Sequence, residues 1–217
     1  MHAFIGVRNL AGSSFAAAEK TMFVVSFDIG MRNFAGTAVT VARDADGQVR
    51  VKEMHGYFCE DILEAGGCTA RVSRSVQTDR LVGFTAESLR RNFGDLSFTP
   101  DVVVVESQRG KKECMISAAV LGFYASEAPS AKLRMMNALS KFKVAKGAKA
   151  PPTQGSKAQR HEQLKQAAIE LAETLYPGMC CELGVKAEHC ADALCQAVAA
   201  GHECLPKIRA KRKRAKD

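Results

Sequence analysis

Residues 24–39 read VVSFDIGMRNFAGTAV and contain one acidic residue, Asp28. It closes an apolar, β-branched run that starts at residue 21, and Ile29-Gly30 follow at once. Such a run predicts a buried strand over residues 21–27. A lone carboxylate at its end either caps a turn or is held there for chemistry, and taken alone the turn cap is the simpler reading. Gly30 lacks a Cβ, so the turn after the strand is expected to let a substrate approach closely.

Working outward, residues 36–41 read as a second strand and residues 49–58 as a third. Between them lies Arg43-Asp44-Ala45-Asp46-Gly47, whose Asp-Gly pair is a hairpin signal, so the three strands are expected to be antiparallel neighbours. A variable stretch, CEDILEAGGCTARVS, follows. From about residue 75, Val82, Ala86, Leu89 and Phe93 recur at helical intervals, with Gly94 as a C-terminal stop. PDVVVVESQ, residues 100–108, is a second intensely apolar strand, and it too ends in a carboxylate, Glu106. Met115, Ile116, Ala119, Val120 and Phe123 mark another helix, and residues 133–136 a short fifth strand. Residues 141–159, rich in Lys, Gly and Pro, form the clearest loop. Ser156 and Gln159 then make a capping box for a helix carrying Leu164, Ala168, Leu171 and Leu175, which stops at Pro177-Gly178. A last helix begins near Glu188 and buries Ala191, Leu194, Cys195 and Val198. The order βββ-α-β-α-β-α-α predicts an α/β layer architecture with a mixed five-stranded sheet, antiparallel first three strands and flanking helices.

The chain of 217 residues carries a formal net charge of +8, much of it local. Residues 141–165 hold seven basic residues against Glu162 alone, and the C-terminus reads PKIRAKRKRAKD. Clustered Lys and Arg suit a polyanion, although a solubilising tail and a solvated loop would look the same. Eight cysteines without a secretory signal point away from a disulfide scaffold and toward reduced thiols in an intracellular compartment: nucleus, viral factory, cytoplasm or organelle. Cys180, Cys181, Cys190, His202 and Cys204 lack metal-ligand spacing and are read as structural. No apolar run reaches transmembrane length, so no membrane partner is expected. Residues 1–20 read as a leader, residues 21–204 as the domain and residues 205–217 as a basic tail.

The third acidic feature is KAEHCADALCQAVAA, residues 186–200. Asp192 lies four residues after Glu188 and three after His189, so on a helix it shares a face with both. An acid complementing the helix dipole accounts for Glu188 but not for Asp192. Two strand-end carboxylates and this helix face together supply hard oxygen donors and an imidazole, a set suited to Mg²⁺ or Mn²⁺ rather than Zn²⁺. Two such ions about 3.5–4 Å apart can activate a water and stabilise the leaving oxygen of a phosphodiester. The residues alone thus point to metal-dependent phosphodiester hydrolysis on nucleic acid.

The same residues resemble the RuvC-type resolvases of the ribonuclease H-like superfamily, and in particular the Holliday junction resolvases of poxviruses and other large DNA viruses. FDIGMRN is similar to the family's first block, strand-Asp-x-Gly, with Asp28 as the aspartate. VVVVESQRG is similar to the second, strand-Glu-x-Gln, with Glu106 and Gln108 in those places. HCADAL is similar to the last block, with His189 and Asp192. ISAAVLGFYA and NALSKFK also look like the intervening helix and strand-loop, so the resemblance spans about residues 22–202 in the family's order. Viral relatives often place consecutive acids before the last Asp, where this chain has Glu188-His189.

The resemblance implies a ribonuclease H-like fold over residues 21–204 and a homodimeric, Mg²⁺-dependent endonuclease. Such an enzyme makes paired cuts in four-way DNA junctions, leaving ends that can be religated. Asp28 would bridge two ions, Glu106 and Asp192 would hold one each, and His189 or Glu188 would complete a shell or orient the water. Gln108 would lie at the nucleic acid, and Lys111, Lys112, Lys141, Lys143 and Lys146 would contact phosphates or form a solvated surface. Other readings remain open: a nuclease acting on flaps or forks, an inactive nucleic-acid-binding module, or an actin-like or sugar-kinase ATPase. The ATPase needs a second Asp-x-Gly hairpin that the sequence does not offer convincingly.

Overall fold

The structure is a computed structural model, and it describes residues 20–67, 78–94, 99–144, 151, 153–179 and 184–206. β1 (Thr21–Asp28), β2 (Phe34–Arg43) and β3 (Val49–Glu60) form an antiparallel meander. β4 (Val102–Glu106) joins the other side of β1 in parallel, and β5 (Lys132–Met136) pairs in parallel with β4, giving the order β3-β2-β1-β4-β5. The sheet is the mixed five-stranded one the sequence predicts, with its first three strands antiparallel and helices flanking it, consistent with a ribonuclease H-like fold.

Five helices follow in chain order: α1 (Ile62–Ala65), α2 (Thr78–Phe93), α3 (Lys111–Glu127), α4 (Lys157–Leu175) and α5 (Ala187–Cys204). Helix α4 opens with the expected capping box, in which Ser156 and Gln159 each bond the other's backbone N–H. Helix α3 starts at Lys111, a turn earlier than its apolar spacing suggests. The one-turn α1 lies in the stretch read as variable, capped by Asp61, which accepts from Leu63 N and Glu64 N. Residues 138–142, expected within a strand-loop, form a 3-10 turn capped by Asn137. The leader before residue 20, the tail beyond residue 206, Cys68, Lys146, Cys180 and Cys181 lie outside the described residues.

Strand side chains alternate between faces, and each face of this sheet has its own core. Val25 and Phe27 of β1, Phe34 and Ala38 of β2, Phe58 of β3 and Val103 and Val105 of β4 pack against α2 and α3. Val24, Ala35, Val39, Val102 and Val104 face the other way, beneath α5. Asp28 continues the series of Val24, and Glu106 that of Val104, so both carboxylates emerge on the α5 face. Their level is fixed by register. Val24 to Phe27 stand beside Val102 to Val105, so the next residues of the two parallel strands are Asp28 and Glu106. Asp101 pins the far end of this pairing: Phe23 N donates to its carboxylate (2.7 Å), and its own N–H donates to Phe23 O (2.9 Å).

Helix α5 lies between the sheet and α4, and from Cys190 to Gly201 only Asp192 retains appreciable exposure. Its small residues let it approach the sheet closely. A Cβ on Gly201 would come within 2.7 Å of Val41 and 3.1 Å of Val49. At the helix C-terminus, Arg43 donates to the carbonyls of His202 (2.7 Å) and Leu205 (3.2 Å), satisfying groups that have no partner within the helix. This clamp holds α5 in place over β1.

Candidate functional site

Asp28, Glu106 and Asp192 converge from two strand ends and one helix. One carboxylate oxygen of each lies within 4.8 Å of the others, making this the one group of three metal-ligating side chains among the described residues. Asp28 and Glu106 are each 7% exposed, so their charges are largely removed from water. They form the floor of a cleft of about 470 Å³. Its walls are the β1–β2 turn, the 3-10 turn at residues 138–142, the first half of α4 and the first turns of α5.

Each carboxylate has its own support. Gln108 Nε2 donates to Glu106 Oε1 (3.0 Å), and Gln196 Nε2 donates to Glu106 Oε2 (2.8 Å). His189 Nδ1 stands 2.8 Å from Asp28 Oδ2, while its Nε2 stands 3.0 Å from Glu188 Oε1. Glu188 in turn accepts from Lys165 Nζ at 2.9 Å. The result is a chain of alternating charge, Lys165–Glu188–His189–Asp28, running from α4 to the floor. On the other side, Lys141 Nζ lies 2.5 Å from Asp192 Oδ1.

Burial chiefly, together with the Asp28 charge, pushes the Glu106 carboxyl up to about 7, against the opposing pull of Lys141. Burial also raises Asp192, and Lys141 opposes it there too. For His189, burial acts to lower the pKa. The hydrogen bond with Asp28 and the charges of Asp28, Cys59 and Glu188 outweigh it, and the ring stands above the usual histidine range.

Among the sequence-designated residues, Asp28, Glu106, Asp192, His189, Glu188, Gln108 and Lys141 all line this cleft. Glu188 and His189 line the cleft next to Asp28 and stand outside the cluster of three carboxylates. Lys141 is buried against Asp192 in the cleft lining, so the alternative of a solvated surface does not hold for it. Lys111 and Lys112 sit at the start of α3 and, like Lys143, are not in the cleft lining; Lys111 and Lys143 are exposed. Gly30 lines the cleft, as its expected role requires, and a Cβ there would also lie 3.1 Å from Asn33 O within the turn. Cys190 bonds Phe58 O and Cys204 bonds Arg134, so these thiols lie in different places and form no metal group with His202.

Sequence reasoning passed over Gln196, Arg32, Asn33, His161 and Lys165. Gln196 had a signal: it is the polar residue one turn after Asp192 in an otherwise apolar segment, extending the 188–192 spacing by four. Arg32 and Asn33 stand in the opening stretch itself and line the cleft.

No family model matches the chain, and no curated protein matches it. Solved structures do. The fowlpox virus Holliday junction resolvase is 19% identical, over 85% of this chain and 100% of that one, with a TM-score of 0.49. RuvC of Thermus thermophilus is 20% identical, over 83% and 94%, with a TM-score of 0.48. The yeast mitochondrial Holliday junction resolvase Ydc2 is 15% identical, over 82% and 78%, with a TM-score of 0.47. The likeness is one of fold. Among the described residues, no helix is long and apolar enough to cross a membrane.

Proposed function

We propose that this chain is a metal-dependent endonuclease of branched DNA that cuts four-way junctions as a homodimer, with Mg²⁺ as its ion and Mn²⁺ able to replace it. The observation that carries the reading is the convergence of Asp28, Glu106 and Asp192. Three largely buried carboxylates with oxygens within 4.8 Å of one another carry a cost: burial first, and then the Asp28 charge, raise Glu106 to about 7. A divalent cation reverses that cost, and an all-oxygen donor set fits Mg²⁺ or Mn²⁺. A module that only binds nucleic acid gains nothing from carboxylates facing phosphates. The net charge of +8 and the basic stretches supply the complementary field for a polyanion.

In this reading Asp28, Glu106 and Asp192 hold the metal. When bound, such ions activate a water for attack on the phosphodiester and stabilise the leaving oxygen. The chain's own side chains fix the donors. Gln108 and Gln196 hold both oxygens of Glu106, so that carboxylate has one orientation. His189 holds Asp28 through Nδ1, and Glu188 fixes the ring through Nε2. Arg32 on the β1–β2 turn and Lys165 on α4 place positive charge in the lining, where a phosphate backbone would cross the acidic floor.

The test is nicking of synthetic four-way junctions with Mg²⁺, in a panel with flap, fork and RNA–DNA hybrid substrates. The expected result is paired nicking of the junction that is lost in Asp28→Asn and Glu106→Gln while junction binding survives. Preferential cutting of flaps or forks would reassign the substrate. No cutting of any branched DNA with Mg²⁺ or Mn²⁺ would overturn the enzyme reading.

A further inference from the structure

Lys141 is the one lysine among the described residues whose side chain is buried, at 7% exposure. A buried ammonium is costly unless a fixed negative charge pairs with it. The partner here is Asp192 Oδ1, 2.5 Å away, on one of the three carboxylates of the metal cluster. The turn that carries Lys141 is itself anchored. Asn137 accepts from Leu139 N (2.9 Å), Phe142 is buried, and the turn packs on α5. The ammonium also lies 5.8 Å from the centre of the Phe142 ring, within reach of its π face. The lysine is therefore built into the site, unlike the exposed Lys143 two residues on.

We propose that Lys141 is the internal counter-cation of the metal centre: it neutralises Asp192 in the metal-free protein, and a divalent cation competes with its ammonium for that carboxylate. The proposal rests on the metal-site reading above and goes beyond it by giving Lys141 a positioning role. Without metal, three crowded carboxylates need fixed positive charge, and His189 and Lys141 supply it from opposite sides. With metal, the charge that Lys141 provides becomes redundant and repels the incoming cation. Lys141 thus lowers metal affinity and raises the stability of the empty site.

Two measurements without DNA test this. The first is Mn²⁺ binding to wild type and Lys141→Met, read by electron paramagnetic resonance. Removing a cation in contact with a ligand should tighten Mn²⁺ binding about tenfold or more. It should also lower the melting temperature in chelator, with Mn²⁺ closing the gap to wild type. An equal or weaker Mn²⁺ affinity in Lys141→Met overturns the proposal. The second uses wild type alone, and so decides the matter even if the variant does not fold: acetylation of lysines read by mass spectrometry, with exposed Lys111 as internal reference. Labelling of Lys141 should rise severalfold on adding Mn²⁺, and labelling that stays level or falls overturns the proposal. Failure of Mn²⁺ to bind either protein would instead overturn the metal centre, and this proposal with it.

Discussion

Val25 and Phe27 point from β1 toward α2 and α3, whereas Val24, Ser26 and Asp28 point from the same strand toward α5. The first side is sealed by rings. Phe27 and Phe34 stack at 5.6 Å, and Phe58 meets Phe93 edge to face at 5.2 Å. The second side is apolar only near the start of β1; toward the strand's end it opens into a cleft floored by carboxylates. The two faces share one backbone, so β1 places a Phe and an Asp one residue apart on opposite sides. The aromatic face needs only shape to be stable. The acidic face is stable only while its charges are matched, as Lys141 and His189 match them here.

The largest expected effect breaks the acidic face alone. Asp28→Asn or Glu106→Gln should reduce Mg²⁺-dependent junction cutting by roughly a hundredfold or more, as loss of one preorganised charge in a catalytic site does. Melting temperature in chelator should hold or rise, because a repelling charge has gone. A variant that lost activity and fold together would show that these carboxylates are structural.

The next effect is in pH. Glu106 stands at about 7 in the folded chain against an ordinary 4.5, so the fold favours its protonated form. Stability from that group is full below about pH 4.5 and is lost as pH rises through 7. His189 and Asp192 are raised as well and change stability in the same direction. Denaturant midpoints taken in chelator from pH 4 to 8 should therefore fall, Mg²⁺ should flatten the fall, and Glu106→Gln should reduce it. A level profile in chelator would show that burial and the neighbouring charges do not raise these groups in the folded chain.

A change on the aromatic face should behave oppositely. Gly36 faces that cluster, and a Cβ there would meet the rings of Phe58, Phe27 and Phe93 at 2.5–2.9 Å. Gly36→Val should cost about 1–3 kcal/mol by overpacking. The cost should be the same with and without Mg²⁺, and Mn²⁺ affinity should be unchanged. A metal-dependent cost would mean that the two faces are coupled through β1.

The contrast also explains what could be read in advance. Both strand-end acids were legible because a carboxylate interrupts an apolar run, and period 3.6 put Asp192 beside His189. The sheet's antiparallel half followed from tight turns. The burial of Lys141 was not legible, because a lysine in a basic stretch looks solvated and the 3-10 turn carries it inward. Lys111 and Lys112 were named with it as phosphate contacts, and α3 sets them outside the cleft lining. Gln196 was missed because its partner, Glu106, is 90 residues away in sequence and is brought near by α5 packing.

The smallest expected effect sharpens the acidic face from within. His189 touches Asp28 directly, while Glu188 reaches Asp28 only through the His189 ring. Lys165 lies one step further out, and its ion pair with Glu188 joins side chains 28% and 27% exposed. Partly solvated pairs of this kind are worth about 0–1 kcal/mol, so Lys165→Met should barely move stability. Cutting rate should grade along the chain: His189→Ala falls most, Glu188→Ala less, Lys165→Met least. The grading follows from contact order, because each step outward leaves the next group able to rotate without releasing Asp28. Were Glu188→Ala to cost more than His189→Ala, Glu188 would itself be the metal ligand and the imidazole its support.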